Sequence, residues 1–298
     1  MNRFLKKMGF SPNDHVAILH ADDVGLCQAT LPAFLELFDS GSLTSGSVMV
    51  PCPWFPKVAS LFTEHPDLDL GIHLTFTSEF SGYRWKPVSA ANADSGLIDE
   101  HGYFFSTTAE VQQKALPAAV EIETELQLQQ AINAGLDITH IDMHMGAMLH
   151  QNFLPAYLAA GRKHQIPMFA YRMSAEKMKK WNNPLLASAI QKITNDLEEE
   201  GFPVFDNFYQ TRLDHPENKM EEIESFFKSA TPGLTHFITH PALDTPELRA
   251  ITPHWKGRVA DYEALASENF KALIKKYDIH LLGYKELRRA LREEISSR

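Results

Sequence analysis

The chain has 298 residues, of which 44% are hydrophobic and 22% charged, and its formal net charge is −10. That balance describes a globular protein able to bury a large core, and an acidic surface with no basic block excludes nucleic acid and anionic membrane as partners. Two cysteines, Cys27 and Cys52, outside any CxxC spacing exclude a disulfide framework and a thiolate metal site; with neither a signal-peptide pattern nor a membrane-length apolar run, the cytoplasm is the expected compartment.

In chain order, the apolar run at 15–21 (HVAILHA) reads as a buried parallel strand, and 28–41 follows with helical spacing and a Gly stop. A second strand is expected at 45–50, a helix at 56–66 and a third strand at 68–76. The stretch at about 77–117 has no period but is rich in aromatics, which predicts an expanded loop over the fold rather than a disordered linker. Alternation then resumes with helix 118–135, strand 137–144, helix 152–166, strand 167–172 and a helical region from 174 to 200. Strand 202–209, helix 216–230, strand 234–241, helix 261–277, strand 279–284 and helix 285–298 complete the chain. Strand–helix alternation on this scale implies a parallel sheet, closed as a barrel or open and doubly wound. No glycine-rich phosphate loop follows the first strand, which favours the barrel. The expectation is an α/β fold, an irregular (β/α) barrel with parallel strands, in a single domain over 1–298 with an inserted loop region.

Four short stretches hold the acid and imidazole groups: HADDVG at 20–25, GIHL at 71–74, HIDMH at 140–144 and THP at 239–241. Each lies at or just past the end of an expected strand, and parallel α/β folds collect their chemistry at strand carboxyl ends. Asp22 and Asp23 are neighbours, which a strand would point to opposite faces, but a turn at Gly25 can bring both into one pocket. One carboxylate could then ligate a cation while the other accepts a proton; a helix N-cap followed by a loop acid is the plainer reading. His73 alone fits a buried core imidazole as well as a ligand. Period-two geometry puts His140, Asp142 and His144 on one strand face, which suits a metal with Asp142 orienting an imidazole, or else a buried polar ladder.

His240, ahead of Pro241, is placed to give a proton to a leaving group. Arg172 and Arg258 are weaker candidates for holding an acid or a substrate oxygen, and Arg258 also reads as a surface charge. His236 is weaker still, and Cys27 reads as a small buried residue. An Asp, two His from separate strands and a spare Asp suffice for a hydrolytic site built on one divalent cation, Mg or Zn foremost. A phosphoesterase would need more cationic groups, an amidohydrolase usually opens on an H-x-H strand, and a non-catalytic binding protein on a metal-bearing barrel would bind its ligand without turnover.

Together these stretches resemble the YdjC-like carbohydrate deacetylases over most of the chain. HADDVG and GSLTSGSVMV stand where that family reads N-A-D-D-F-G and a segment ending G-x-x-T-S. GIHLTF is similar to its G-x-H-L, THIDMH to its T-H-x-D-S-H, and THPALDTPEL to its C-H-P segment. The resemblance implies a barrel shared with polysaccharide deacetylases and metal-dependent removal of an acetyl group from an N-acetylated sugar or oligosaccharide. It implies Asp23, His73 and His144 as metal ligands, Asp22 as general base and His240 as general acid, with His140 and Asp142 in support. Tyr83, Trp85, Tyr103, Phe104 and Trp255 would stack on sugar rings, or equally pack the loop onto the barrel. Cys27 and Met143 each replace a family Ser, and HMGAML replaces the family's H-H-H-V-H, a change on the side of the sugar contacts. A homodimer is open.

Overall fold

Parallel strands buried on both faces read as continuous apolar runs, and β1 (His15–Val24) is one: Val16 to Val24 are all buried. It lies near the middle of a parallel sheet in the computed structural model, which describes residues 2–173 and 184–298. The other strands are β2 (Ser45–Val48), β3 (Leu70–Leu74), β4 (Ile141–Met143), β5 (Asn207–Gln210), β6 (Gly233–Thr239) and β7 (Ile279–Leu281). Their order is β4-β3-β2-β1-β6-β5, with β7 on the first residues of β1.

The two ends of that path meet through 167–172. Phe169 N donates to Ile141 O at 2.9 Å, while Phe205 N donates to Ala170 O at 2.8 Å and Arg172 N to Phe205 O at 2.9 Å. The segment expected as a strand therefore makes two isolated bridges, at Met168 and Tyr171, because it changes partner halfway along. Regular strand 202–209 likewise begins only at Asn207. The parallel α/β architecture is as expected, and its closure through bridges is what makes the barrel irregular.

Most helices fall where the spacing predicts them. The exception at 261–277 is two helices, Trp255–Ala266 and Glu268–Lys276, because the Ser267 side chain caps the second by accepting from Phe270 N. Short helices at Arg3–Lys7, Thr108–Lys114 and Pro246–Ile251 were not expected, although Asn2, Thr107 and Thr245 cap them. The first part of the helical region expected from 174 lies outside the described residues; Pro184–Glu200 is helical.

The inserted stretch is tied down by its own aromatics. Trp85 and Phe104 are buried, Trp85 Nε1 donates to Thr77 O at 2.8 Å, and Tyr83 Oη donates to Leu26 O at 2.7 Å. Glu123 of helix Pro117–Asn133 accepts from Val88 N and Ser89 N at 2.9 and 2.8 Å. These contacts hold a long loop against the barrel mouth.

Candidate functional site

The carboxyl end of β1 is bent to present two acids at once. Ala21 pairs with Gly46 but Val24 with Val48, so β1 carries one extra residue. Asp23 takes up that residue at φ 62°, in the left-handed region, where a side chain with Cβ is strained by about 1–3 kcal/mol. The bulge, rather than a turn at Gly25, is thus what turns both Asp22 and Asp23 into the mouth. Both are buried, as are His73 in β3, His144 just past β4 and His240 just past β6.

Asp23 Oδ1 lies 3.3 Å from His73 Nε2 and 3.1 Å from His144 Nδ1, and the two nitrogens are 3.3 Å apart. Ligand bonds of about 2.0–2.1 Å place adjacent donors about 2.8–3.4 Å from one another, the short end around an octahedral cation and the long end around a tetrahedral one. Asp23 Oδ1 is also buried without a hydrogen bond, so the triangle has the spacing and the unsatisfied acceptor that a cation requires.

Each imidazole of the triangle is held from behind by a carboxylate. His73 Nδ1 donates to Asp142 Oδ1 at 2.7 Å, and His144 Nε2 donates to Glu79 at 3.1 Å. That pairing leaves His73 Nε2 and His144 Nδ1 as the free lone pairs, both aimed at Asp23. Arg258, buried rather than a surface charge, donates to Asp23 Oδ2 at 2.6 Å and leaves Oδ1 for the triangle.

The charges are strongly coupled. Burial alone would raise Asp23, but the Arg258 guanidinium and His144 hold its carboxyl well below the usual range. Burial would lower His144, yet Glu79 and Asp23 raise it to about 9. His73 is raised in the same way by Asp142 and Asp22. Without a cation, acid side chains thus draw protons onto the imidazoles; a cation would replace those protons.

Asp22 sits beside the triangle, with Oδ2 3.8 Å from His73 Nε2 and 3.8 Å from His240 Nε2. His240 is anchored through its backbone, whose N–H donates to Asp261 Oδ2 at 2.9 Å, and burial lowers its imidazole. His140 is farther below: it stacks on Tyr284 at 3.6 Å, and its Nε2 is 3.9 Å from Asp142. His140 and His236 are both lowered by burial and by the nearby His20.

Arg172 is the one candidate that the fold carries elsewhere. Its guanidinium is ion-paired with Glu198 and Asp206, so it braces helix Pro184–Glu200 against the barrel and does not line the site. None of Tyr83, Trp85, Tyr103, Phe104 and Trp255 lines it either; the first four belong to the inserted loop, and Trp255 packs against the cluster of Cys27, Ala29, Ala242 and Leu248.

Three participants were given no role by the motif reading, although His20 opens one of its stretches. His20 Nε2 lies 3.0 Å from Asp142, 3.2 Å from Asp22 and 3.1 Å from Ser47 Oγ, and those carboxylates outweigh burial to raise it to about 9. Strand alternation alone could have found it, since residues 20 and 22 share a face. Ser47, on β2, lies 3.1 Å from His73 Nδ1 as well. Glu79 has no local signal: it follows β3 in a loop whose path only the tertiary contacts decide.

Asp22, Asp23, His73, Glu79, Asp142, His144, His240 and Arg258 open into one cavity of about 1030 Å³. Among solved structures, a candidate cellobiose-phosphate cleavage protein from Enterococcus faecalis has the same fold, with a TM-score of 0.75, 23% identity and coverage of 92% of this chain and 99% of its own. A carbohydrate deacetylase of Thermus thermophilus is 31% identical over 292 residues, spanning 96% of this chain and 98% of that protein. One from Thermoanaerobacter pseudethanolicus is 27% identical over 271 residues, or 91% of this chain and 98% of its own. The sequence profile of the YdjC-like proteins matches residues 16–276, from the first strand to the helix before β7, and the chain belongs to that family.

Proposed function

We propose that this protein is a metal-dependent hydrolase that cleaves the amide of an N-acetylated sugar or oligosaccharide. The observation that carries the reading is the Asp23–His73–His144 triangle, with its cation-sized edges, carboxylate-backed imidazoles and an unsatisfied Asp23 Oδ1. Its relatives among the carbohydrate deacetylases point to the same chemistry.

Asp23, His73 and His144 would hold a divalent cation, and two imidazoles with one carboxylate suit zinc or a similar transition ion better than magnesium. Such a cation supplies Lewis acidity, lowering the pKa of water and polarising the amide carbonyl. Asp22, free of the triangle, accepts the proton of the attacking water. His240 passes a proton to the departing nitrogen. Burial keeps that imidazole neutral beforehand, and Asp22 Oδ2 lies 3.8 Å from its Nε2, so the proton Asp22 takes up can be the one His240 delivers. Arg258 neutralises Asp23 and restrains its free oxygen; Asp142 and Glu79 fix which nitrogen each ligand presents.

A phosphoester is the weaker substrate, because Arg172 is committed to Glu198 and Asp206 and Arg258 to Asp23. Two free, buried cysteines and no described helix long and apolar enough to cross a membrane agree with work in the cytoplasm. The test is acetate release from N-acetylglucosamine and short chito-oligosaccharides by metal-loaded protein. Release that requires metal and is lost in Asp22→Asn, with metal still bound, is expected. Bound metal with no release from any acetylated sugar would refute the substrate, and failure to bind metal after reconstitution would refute the site.

A further inference from the structure

One buried imidazole beneath the triangle touches two of the carboxylates on which the proposed reaction turns. His20 lies on β1, two residues before Asp22 and on the same strand face. Its ring is fully buried among other rings: His140 and Tyr284 meet it edge-on, with ring centres 5.0 and 5.9 Å away, and the His236 ring centre is 4.9 Å away. Its main chain is fixed as well. β1 pairs it with Ser45 on one side and Ile238 on the other, and Thr239 Oγ1 donates to its carbonyl at 2.9 Å. Close packing on every side holds the ring in one pose. His20 is also where HADDVG first departs from the family's N-A-D-D-F-G, so no family role attaches to the imidazole.

The groups beside Nε2 decide its hydrogen. Carboxylates only accept, so Nε2 carries a proton and donates to Asp142 Oδ2 at 3.0 Å. Asp22 Oδ1, buried without a hydrogen bond of its own, lies 3.2 Å from the same nitrogen and is held there by charge. Each carboxylate thus has one oxygen engaged by His20 and one left for the site. For Asp142 the remaining oxygen is Oδ1, which accepts from His73 Nδ1 at 2.7 Å. For Asp22 it is Oδ2, which lies 3.8 Å from both His73 Nε2 and His240 Nε2.

We propose that His20 is a positioning residue of this site. It holds Asp22 with Oδ2 toward the cavity as the proton-accepting oxygen and, through Asp142, holds His73 with Nε2 toward Asp23. The Asp22 branch rests on the amide-hydrolase reading, whereas the Asp142 branch needs only the metal site.

Glutamine and methionine are alike in length, and only glutamine ends in a donor, with its amide nitrogen near the place of the ring Nε2. His20→Gln and His20→Met are compared with the parent, all metal-loaded, for acetate release from N-acetylglucosamine and short chito-oligosaccharides, with Tm and metal content measured alongside. His20→Met is expected to lower kcat about tenfold to a hundredfold with KM within about twofold, because a misplaced base costs the transition state rather than substrate binding. His20→Gln is expected to bring kcat back to within about threefold of the parent. His20→Leu takes the place of His20→Met if that variant does not fold. A donor-free variant with the parent's kcat, a loss confined to KM, or a His20→Gln enzyme no faster than the donor-free one would overturn the proposal. If the parent releases no acetate from any of these sugars, the hydrolase reading fails, and a competitive chelator titration decides the Asp142 branch by itself. The donor-free variant is then expected to bind metal about tenfold more weakly than the parent and His20→Gln nearly as well as it; equal affinity in all three would overturn that branch too.

Discussion

Glu79 shows how much a single residue outside every motif can control. Its carboxylate lies 3.1 Å from His144 Nε2 and thereby decides that Nδ1 faces Asp23. Removing such a partner typically costs about tenfold to a hundredfold in metal affinity. Glu79→Gln is therefore expected to weaken binding by that factor in a competitive chelator titration, with little effect on melting of the metal-free protein. Equal affinity in parent and variant would mean that His144 is oriented by something else. Asp142 does more, since it touches both His73 and His20, and Asp142→Asn is expected to lower metal affinity further and also to destabilise the fold.

Among the elements, helix Trp255–Ala266 couples packing to the site. A Cβ on Gly257 would come 2.1 Å from Leu213 O, a backbone atom that cannot swing away. The next residue is Arg258, which holds Asp23. Gly257→Ala is expected to cost about 1–3 kcal/mol by overpacking, a fall of several degrees in Tm, and to weaken metal binding along with it. Gly82→Ala is the comparison: its Cβ meets nothing within 4 Å, so Tm should barely move. Loss of stability in Gly257→Ala with unchanged metal affinity would uncouple the helix from the site.

For the molecule as a whole, the buried imidazoles under the site set opposite pH dependences. His236, lowered by burial and by His20, stays neutral in the folded protein but takes a proton in the unfolded chain below its ordinary 6.5. The unfolded state then binds more protons, so this contribution is complete above 6.5 and is lost as pH falls below it. His20 works the other way: raised to about 9, it stabilises the folded state at low pH and loses that contribution as pH rises through about 9. From these two groups, stability of the metal-free protein should accordingly rise up to about pH 6.5 and decline from there to about 9. His236→Phe keeps the ring contacts with Phe169 and Phe205 and should flatten the decline of Tm between about pH 6.5 and 5, measured by calorimetry. A decline as steep as in the parent would place the acid sensitivity elsewhere.

The alternation of apolar strands and amphipathic helices, and the acid and imidazole pairs at strand ends, are local properties of the chain, and they determined the parallel α/β class and the neighbourhood of Asp22, Asp23, His73, His144 and His240. Strand ends converge because parallel strands all point one way. What the chain cannot state locally is how residues far apart meet. The bulge that turns Asp23 inward, the switch of partners at 167–172, the capture of Arg172 by Glu198 and Asp206, and the approach of Glu79 to His144 were decided by the tertiary structure. Each depends on contacts between segments that no periodicity relates: hydrogen bonds and charges are satisfied by whichever groups packing brings within about 3 Å.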